Sequence, residues 1–216
     1  MLNLKSIVQD QTTATGKLLL TFPWENRTAY AQWLAQTYHM VNHSTRLVAL
    51  AGGLTPLDRN ELHARFVDHS KEERGHQLIA ISDLKALGFR IEELPRLAQS
   101  AAMYQIQYYW IQHQGPVSFF GYSLALECLA AAFGPEVYRR TSTAHGAKST
   151  VFLKVHSEDD VEHTDRAFKL LATLSETEAK LVVENLEISS ELYRGMLTGI
   201  VSRLGLEFSE ARKVAA

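Results

Sequence analysis

The sequence predicts an all-α fold, a single-domain bundle of about seven helices, and three observations carry that reading. Apolar residues recur at steps of three and four through most of the chain, the spacing of a buried helix face. No stretch alternates apolar and polar residues as a half-buried strand would. Glycine and proline fall as punctuation at Gly52-Gly53, Gly88, Gly115-Pro116, Gly134-Pro135 and Gly146, cutting the chain into helix-sized pieces.

Bulk properties narrow the function. A chain of 216 residues suits one large domain, expected here as an N-terminal arm over 1–24 and a helical domain over 25–216. Apolar residues make up 46% and charged residues 21%, as in ordinary globular proteins. A net charge of −2 offers no basic field for nucleic acid. One cysteine, Cys128, rules out an internal disulfide and suits a reducing, cytoplasmic setting. Met1-Leu2-Asn3-Leu4-Lys5 lacks the pattern of a secretory signal. The weakly charged runs contain Gly, Pro, Gln or His and read as buried helices, so no membrane span is expected.

In chain order, residues 1–21 are weakly patterned and read as an arm packed on the body. Phe22-Pro23-Trp24 is a break. Helix one is expected from about Glu25 to Ala51; between Thr28 and Ala51 its only formal charge is Arg46, so it should be largely buried. His39 and His43 stand one turn apart in it. Helix two has Thr55 as N-cap, Pro56 at its first position and Gly88 as its stop. Its inward stripe is Leu62, Phe66, His69, Glu73, His76, Ala80, Leu84 and Leu87. Lys71, Arg74 and Lys85 lie off that stripe, so an inward carboxylate at Glu73 asks for a compensating cation or a histidine partner. Glu72 lies one turn before His76 and competes with Glu73 for the role.

Helix three is expected from about Arg96 to Gln114, rich in aromatics including Tyr104, Tyr108 and Trp110. These, with Phe119 and Phe120, suit either a pocket wall or plain core. Helix four, Pro116 to Phe133, carries Glu127 as its single charged residue. A helix this apolar is buried all round, so Glu127 is either a protonated acid or a cation ligand. Cys128 reads as a small buried thiol. A short helix over Glu136–His145 follows. The β-branched run 149–155 leads into Val155-His156-Ser157-Glu158-Asp159-Asp160-Val161-Glu162-His163, continuing to Leu174. Ser175-Glu176-Thr177-Glu178 opens a last helix running to about Leu204.

On a helix, His156, Asp160 and His163 fall at i, i+4 and i+7 and share one face. Two imidazoles and a carboxylate so placed are a ligand set for a first-row metal such as iron. The bland reading of the same stretch is a solvated helix start. Asp159 stands at i, i+4 to His163 as well and competes with Asp160. Three helices thus bring acid or imidazole to a buried face, which is how helical bundles build carboxylate-bridged iron sites. The ferritin type needs paired Glu-x-x-His motifs. Here only Glu73-Arg74-Gly75-His76 has that form, and the other half is His-x-x-x-Asp-x-x-His.

The combination of Glu72-Glu73-Arg74-Gly75-His76, Gly121-Tyr122-Ser123-Leu124-Ala125-Leu126-Glu127, and Phe152-Leu153-Lys154-Val155-His156 with Asp160 and His163 resembles the heme-oxygenase-like superfamily. That superfamily includes the TenA and PqqC proteins. Within it the spacing looks most like the heme-oxygenase-like diiron oxidases and oxygenases. The resemblance implies iron ligands at Glu73, His76, Glu127, His156, Asp160 and His163, holding two non-heme iron ions. It also implies a seven-helix domain, often a homodimer, that activates O2 to attack a small molecule of the amino acid or fatty acid class. His39, His43, His69 and Tyr108 are candidates for substrate contact or for orienting ligands. Two other readings follow from the same superfamily. One is a metal-independent TenA- or PqqC-like enzyme or small-molecule binder. The other is a heme protein using His39 or His43 as its axial ligand.

Overall fold

The computed structural model describes residues 3–157, 168, 169 and 171–209, and among them every regular element is helical. Helix α1 spans Leu4–Thr21, α2 Arg27–Val41, α3 Ser44–Leu54, α4 Asn60–Glu72 and α5 His76–Ala86. Helix α6 spans Ala98–Tyr109 and runs into a π turn, Trp110–Gln114. Helix α7 spans Phe119–His145, α8 covers residues 151–157, and α9 spans Glu176–Arg203.

The expected N-terminal arm is a full helix. Asn3 caps it, its side chain accepting from the Ser6 amide at 3.2 Å. Val8, Thr15, Gly16 and Leu19 are its buried positions, at helical steps diluted by polar neighbours, which is why the period is weak in the sequence. It packs on α7 and α9. Arg194 of α9 donates to Thr15 at 2.9 Å and to Gln11 at 3.3 Å.

Two long expected helices are each broken in two. Asn42 and His43 separate α2 from α3, and α3 continues through Gly52-Gly53 to Leu54. The glycine pair is therefore no stop. A Cβ on Gly52 would stand 3.2 Å from the Phe66 Cβ, so the glycine admits α4 beside α3. The second break falls at Glu73-Arg74-Gly75, between α4 and α5. Gly75 has φ +99°, a left-handed turn that glycine makes without steric penalty. In contrast, two expected helices fuse. Helix α7 passes through Gly134-Pro135, with Pro135 exposed and Gly134 buried against Ser157 of α8.

Helix α7 is the core of the molecule. The stretch Pro116–His145 is long and apolar enough to cross a membrane by length and composition, but 67% of its apolar window is buried inside the protein. A Cβ on Gly121 would meet the Val182 carbonyl oxygen at 2.4 Å and the Leu186 amide nitrogen at 2.5 Å, so α7 and α9 touch backbone to backbone there. Between α6 and α9 a buried polar ring closes the interface. Asn185 donates to Gln107 at 2.8 Å, Gln107 to Ser189 at 3.4 Å and Ser189 back to Asn185 at 3.1 Å. The Ser175–Glu178 capping box forms as expected and starts α9.

Candidate metal centre

The α4–α5 break keeps the inward acid and imidazoles together. Glu73 is the last-turn cap of α4 and His76 the first residue of α5. The His69 Nε2 lies 3.5 Å from Glu73 Oε1, and Glu73 Oε2 lies 3.6 Å from His76 Nδ1. Glu72 turns the other way, to Arg65 at 3.2 Å, so Glu73 is the carboxylate facing inward. From α7, Glu127 is 7% exposed and its Oε1 stands 3.3 Å from the same His69 Nε2. From α8, the His156 ring meets that of His76 edge to face, 4.7 Å between centroids. Four helices thus bring Glu127, His69, Glu73, His76 and His156 into one cluster.

The cluster's charges hold one another. Burial pushes the Glu73 carboxyl up, but the His69 and His76 imidazoles outweigh it and hold the group well below the usual carboxylate range. Burial pulls His69 down, and Glu127 and Glu73 together reverse that and raise it.

Helix α8 is aimed from its N-terminus by two side chains that sequence reasoning missed. Asp83 of α5, 0% exposed, accepts from the Phe152 amide at 2.8 Å and so caps α8 from outside its own chain segment. Tyr30 of α2 donates to the Ser149 carbonyl at 2.8 Å. Burial pushes the Asp83 carboxyl up to about 6, against the lowering pull of the Phe152 and Val151 amides. Further along α8, the His156 Nδ1 lies 2.9 Å from the Phe152 carbonyl oxygen. A carbonyl only accepts, so Nδ1 carries the proton and Nε2 presents the lone pair.

The donor set fits iron. It mixes imidazole nitrogen with carboxylate oxygen, the combination non-heme iron takes. Its spacing is looser than a hydrogen bond's, and only the His69–Glu127 pair falls in the range one shared ion would give. Charge-assisted N–H···O bonds settle at about 2.7–2.9 Å. The three contacts here are 3.3, 3.5 and 3.6 Å. Two donors each about 2.1 Å from one ion stand roughly 3.0–3.4 Å apart. Among the described residues no group of three or more His, Cys, Asp or Glu side chains is placed to hold a metal ion. Asp160 and His163, and the competing Asp159, lie outside the described residues.

His69, Glu73, Glu127 and His156 of the cluster line a cavity of about 120 Å³. Trp24, Trp33, Met40, Phe119, Phe152 and Tyr193 stand in its largely apolar wall. Of the aromatics weighed as pocket wall, Phe119 lines it, while Tyr104, Tyr108, Trp110 and Phe120 do not. His39 and His43 do not reach it either. His43 stacks on Tyr104 at 4.0 Å and bonds to the Tyr108 hydroxyl at 2.9 Å, and His39 packs edge-on to Tyr38. His69, expected to touch substrate or orient ligands, sits between the two carboxylates. Its place on the inward stripe was the available signal.

Comparison with known proteins accords with this picture. Residues 31–194 match the sequence model of a family described as iron-containing redox enzyme. No curated protein matches the chain. A domain of unknown function with a heme oxygenase-like fold from Shewanella denitrificans OS217 superposes with a TM-score of 0.83, at 22% identity over 100% of both chains. A TenA homolog from Pseudomonas syringae pv. tomato str. DC3000 gives 0.76, at 12% identity over 93% of each chain. A TenA homologue from Pyrococcus furiosus gives 0.71, at 13% identity over 91% of this chain and 99% of the other. At these identities the likeness establishes a shared fold.

Proposed function

This chain belongs to the family of iron-containing redox enzymes, within the heme-oxygenase-like superfamily, and on that premise we propose that it is a non-heme diiron enzyme that activates O2 to oxidise or oxygenate a small molecule. One observation carries the reading. Acids and imidazoles from α4, α5, α7 and α8 converge beside an apolar cavity, at spacings too long for strong hydrogen bonds.

In this reading Glu73, His76, Glu127 and His156 hold iron together with Asp160 and His163. Iron, when bound, supplies the electrons and the open coordination positions that O2 chemistry needs. The protein does the rest. The Phe152 carbonyl fixes the His156 tautomer so that Nε2 faces the cluster. Asp83 and Tyr30 fix the start of α8 and so the reach of His156. His69 lies between Glu73 and Glu127 and either completes the ligand set or orients both carboxylates. The aromatic wall keeps bulk water from the bound molecule.

A metal-independent TenA-like enzyme is the second reading, favoured by the likeness to two TenA homologues. TenA-type thiaminase chemistry needs a cysteine nucleophile, and Cys128 is not among the residues lining the cavity. Oxygen uptake separates the two. Protein reconstituted anaerobically with Fe(II) should consume O2 on mixing, and Glu127→Ala should not. Equal uptake by both would place the site elsewhere.

A further inference from the structure

The break between α2 and α3 carries neither glycine nor proline, and the His43 side chain caps nothing there. What the break does is bring His43 to α6. Its ring stacks on Tyr104, 4.0 Å between centroids and 7° from parallel, and its Nδ1 lies 2.9 Å from the Tyr108 hydroxyl. That leaves Nε2, which among the described residues is neither bonded nor buried. Two guanidinium groups flank the ring. Arg96 donates to the Tyr104 hydroxyl at 2.5 Å, and its guanidinium lies 5.9 Å from the centre of that ring. Arg46 of α3 donates to the Asn42 carbonyl at 2.8 Å.

Both arginines are exposed, and among the described residues neither meets a carboxylate. Arg59, Arg139 and Arg140, by contrast, each meet a glutamate, at 2.5, 2.6 and 2.8 Å. The imidazoles feel the excess. Burial lowers the pKa of His43, and Arg46 and Arg96 lower it further. Burial, Arg96 and His43 likewise lower that of His39, one turn earlier. No acid acts on either ring. A chain of net charge −2 thus gathers two arginines and two imidazoles at one place with nothing to offset them, and an oxyanion is what relieves that repulsion. The place is separate from the cavity. Met40, Val41 and Ser44 of α2 and α3 line the cavity, whereas His39, His43, Arg46, Arg96, Tyr104 and Tyr108 do not.

We propose that the α2–α3 break and the neighbouring face of α6 form a second binding site, for a small dianion presenting phosphate or carboxylate oxygens to Arg46, Arg96 and the Nε2 of His43. Guanidinium groups meet such oxygens with paired N–H donors. The groups are already held, Arg96 by Tyr104, Arg46 by Asn42 and His43 by Tyr108, so little order is lost on binding. The proposal goes beyond the iron reading and does not rest on it.

The test uses the full chain purified metal-free, so that no anion binds through iron. The probes are inorganic phosphate and succinate, each set against chloride at matched ionic strength. Calorimetry, thermal melting and proton NMR of the histidines follow binding. Phosphate or succinate should bind at about one per chain and raise Tm above that in chloride. It should also move the His43 resonance and raise the His43 pKa, because an anion favours the charged ring. Tighter phosphate assigns the site to phosphate esters, and tighter succinate assigns it to carboxylates. Arg46→Gln gives up only a bond to a backbone carbonyl and keeps the fold. It should weaken the better probe about tenfold or more, the value of a charge-assisted hydrogen bond. Arg96→Gln should do the same, and where loss of its Tyr104 contact unfolds the protein, Arg46→Gln decides. Arg139→Gln, at an ion pair on α7, should change nothing. The proposal is overturned if neither probe exceeds chloride, if Arg46→Gln binds as tightly as wild type, or if the His43 resonance stays in place. Such a failure leaves the diiron reading standing, and protein that takes up no iron leaves this site standing.

Discussion

The Nδ1 of His156 stands 2.9 Å from the carbonyl oxygen of Phe152, one turn earlier on the same helix. That contact decides which nitrogen of His156 is available to a metal. In metal-free protein near pH 8, long-range proton–nitrogen NMR should show the His156 proton on Nδ1. A proton on Nε2 would mean that the ring faces the cluster the wrong way round.

The cap that Asp83 places on α8 has a pH signature. In the unfolded chain its carboxyl titrates near 3.8, and burial in the native state pushes it up to about 6. The native state therefore holds the proton more tightly. The contribution of Asp83 to stability is full below about pH 4, falls as pH rises to about 6, and stays low above. The fall amounts to about 3 kcal/mol. Asp83→Asn keeps a carbonyl oxygen for the Phe152 amide and has no such titration. Denaturant unfolding of both proteins from pH 4.5 to 8 should show the difference between them changing in favour of Asn as pH rises. A difference flat in pH would mean that Asp83 titrates normally.

Gly121 is where α7 and α9 touch. A methyl group there meets backbone atoms of Val182 and Leu186, which cannot rotate away. Gly121→Ala should cost about 3 kcal/mol or more, a fall in Tm of about 10 °C for a domain of this size. A melting temperature within a degree or two of wild type would show that the helices can separate freely.

Gly75 differs, because its Cβ would meet open space and only its φ of +99° demands glycine. Gly75→Ala should cost about 1–2 kcal/mol from backbone strain alone, and Gly75→Asn less, since asparagine tolerates the left-handed region. Thermal melts rank the three proteins. Alanine and asparagine melting together with wild type would contradict the strained turn.

Much of this architecture is readable before any coordinates, and the remainder has physical reasons for staying hidden. Glu127 stands out as the one charge in an apolar helix. Glu73 and His76 stand out as polar members of an otherwise apolar stripe. The break at Gly75 does not, because a lone glycine in a helical pattern is compatible with a continuous helix. The fusion of α7 across Gly134-Pro135 goes against the local turn signal, since Gly134 is needed to admit α8 at Ser157. His39 and His43 have ligand-like spacing, yet only His39 lies in α2; His43 lies in the α2–α3 break, where tyrosines from α6 engage it. Asp83, Trp24 and Trp33 gain their roles only from residues distant in sequence, which no local pattern reveals.

The direct test of the whole account is the iron content of the full chain produced in iron-supplemented medium, measured per chain by elemental analysis. Wild-type protein should carry about two irons per chain, as carboxylate–histidine bundles do, and well-folded Glu127→Ala should carry clearly fewer. Folded wild-type protein without iron, or a Glu127→Ala variant as fully loaded as wild type, would contradict it.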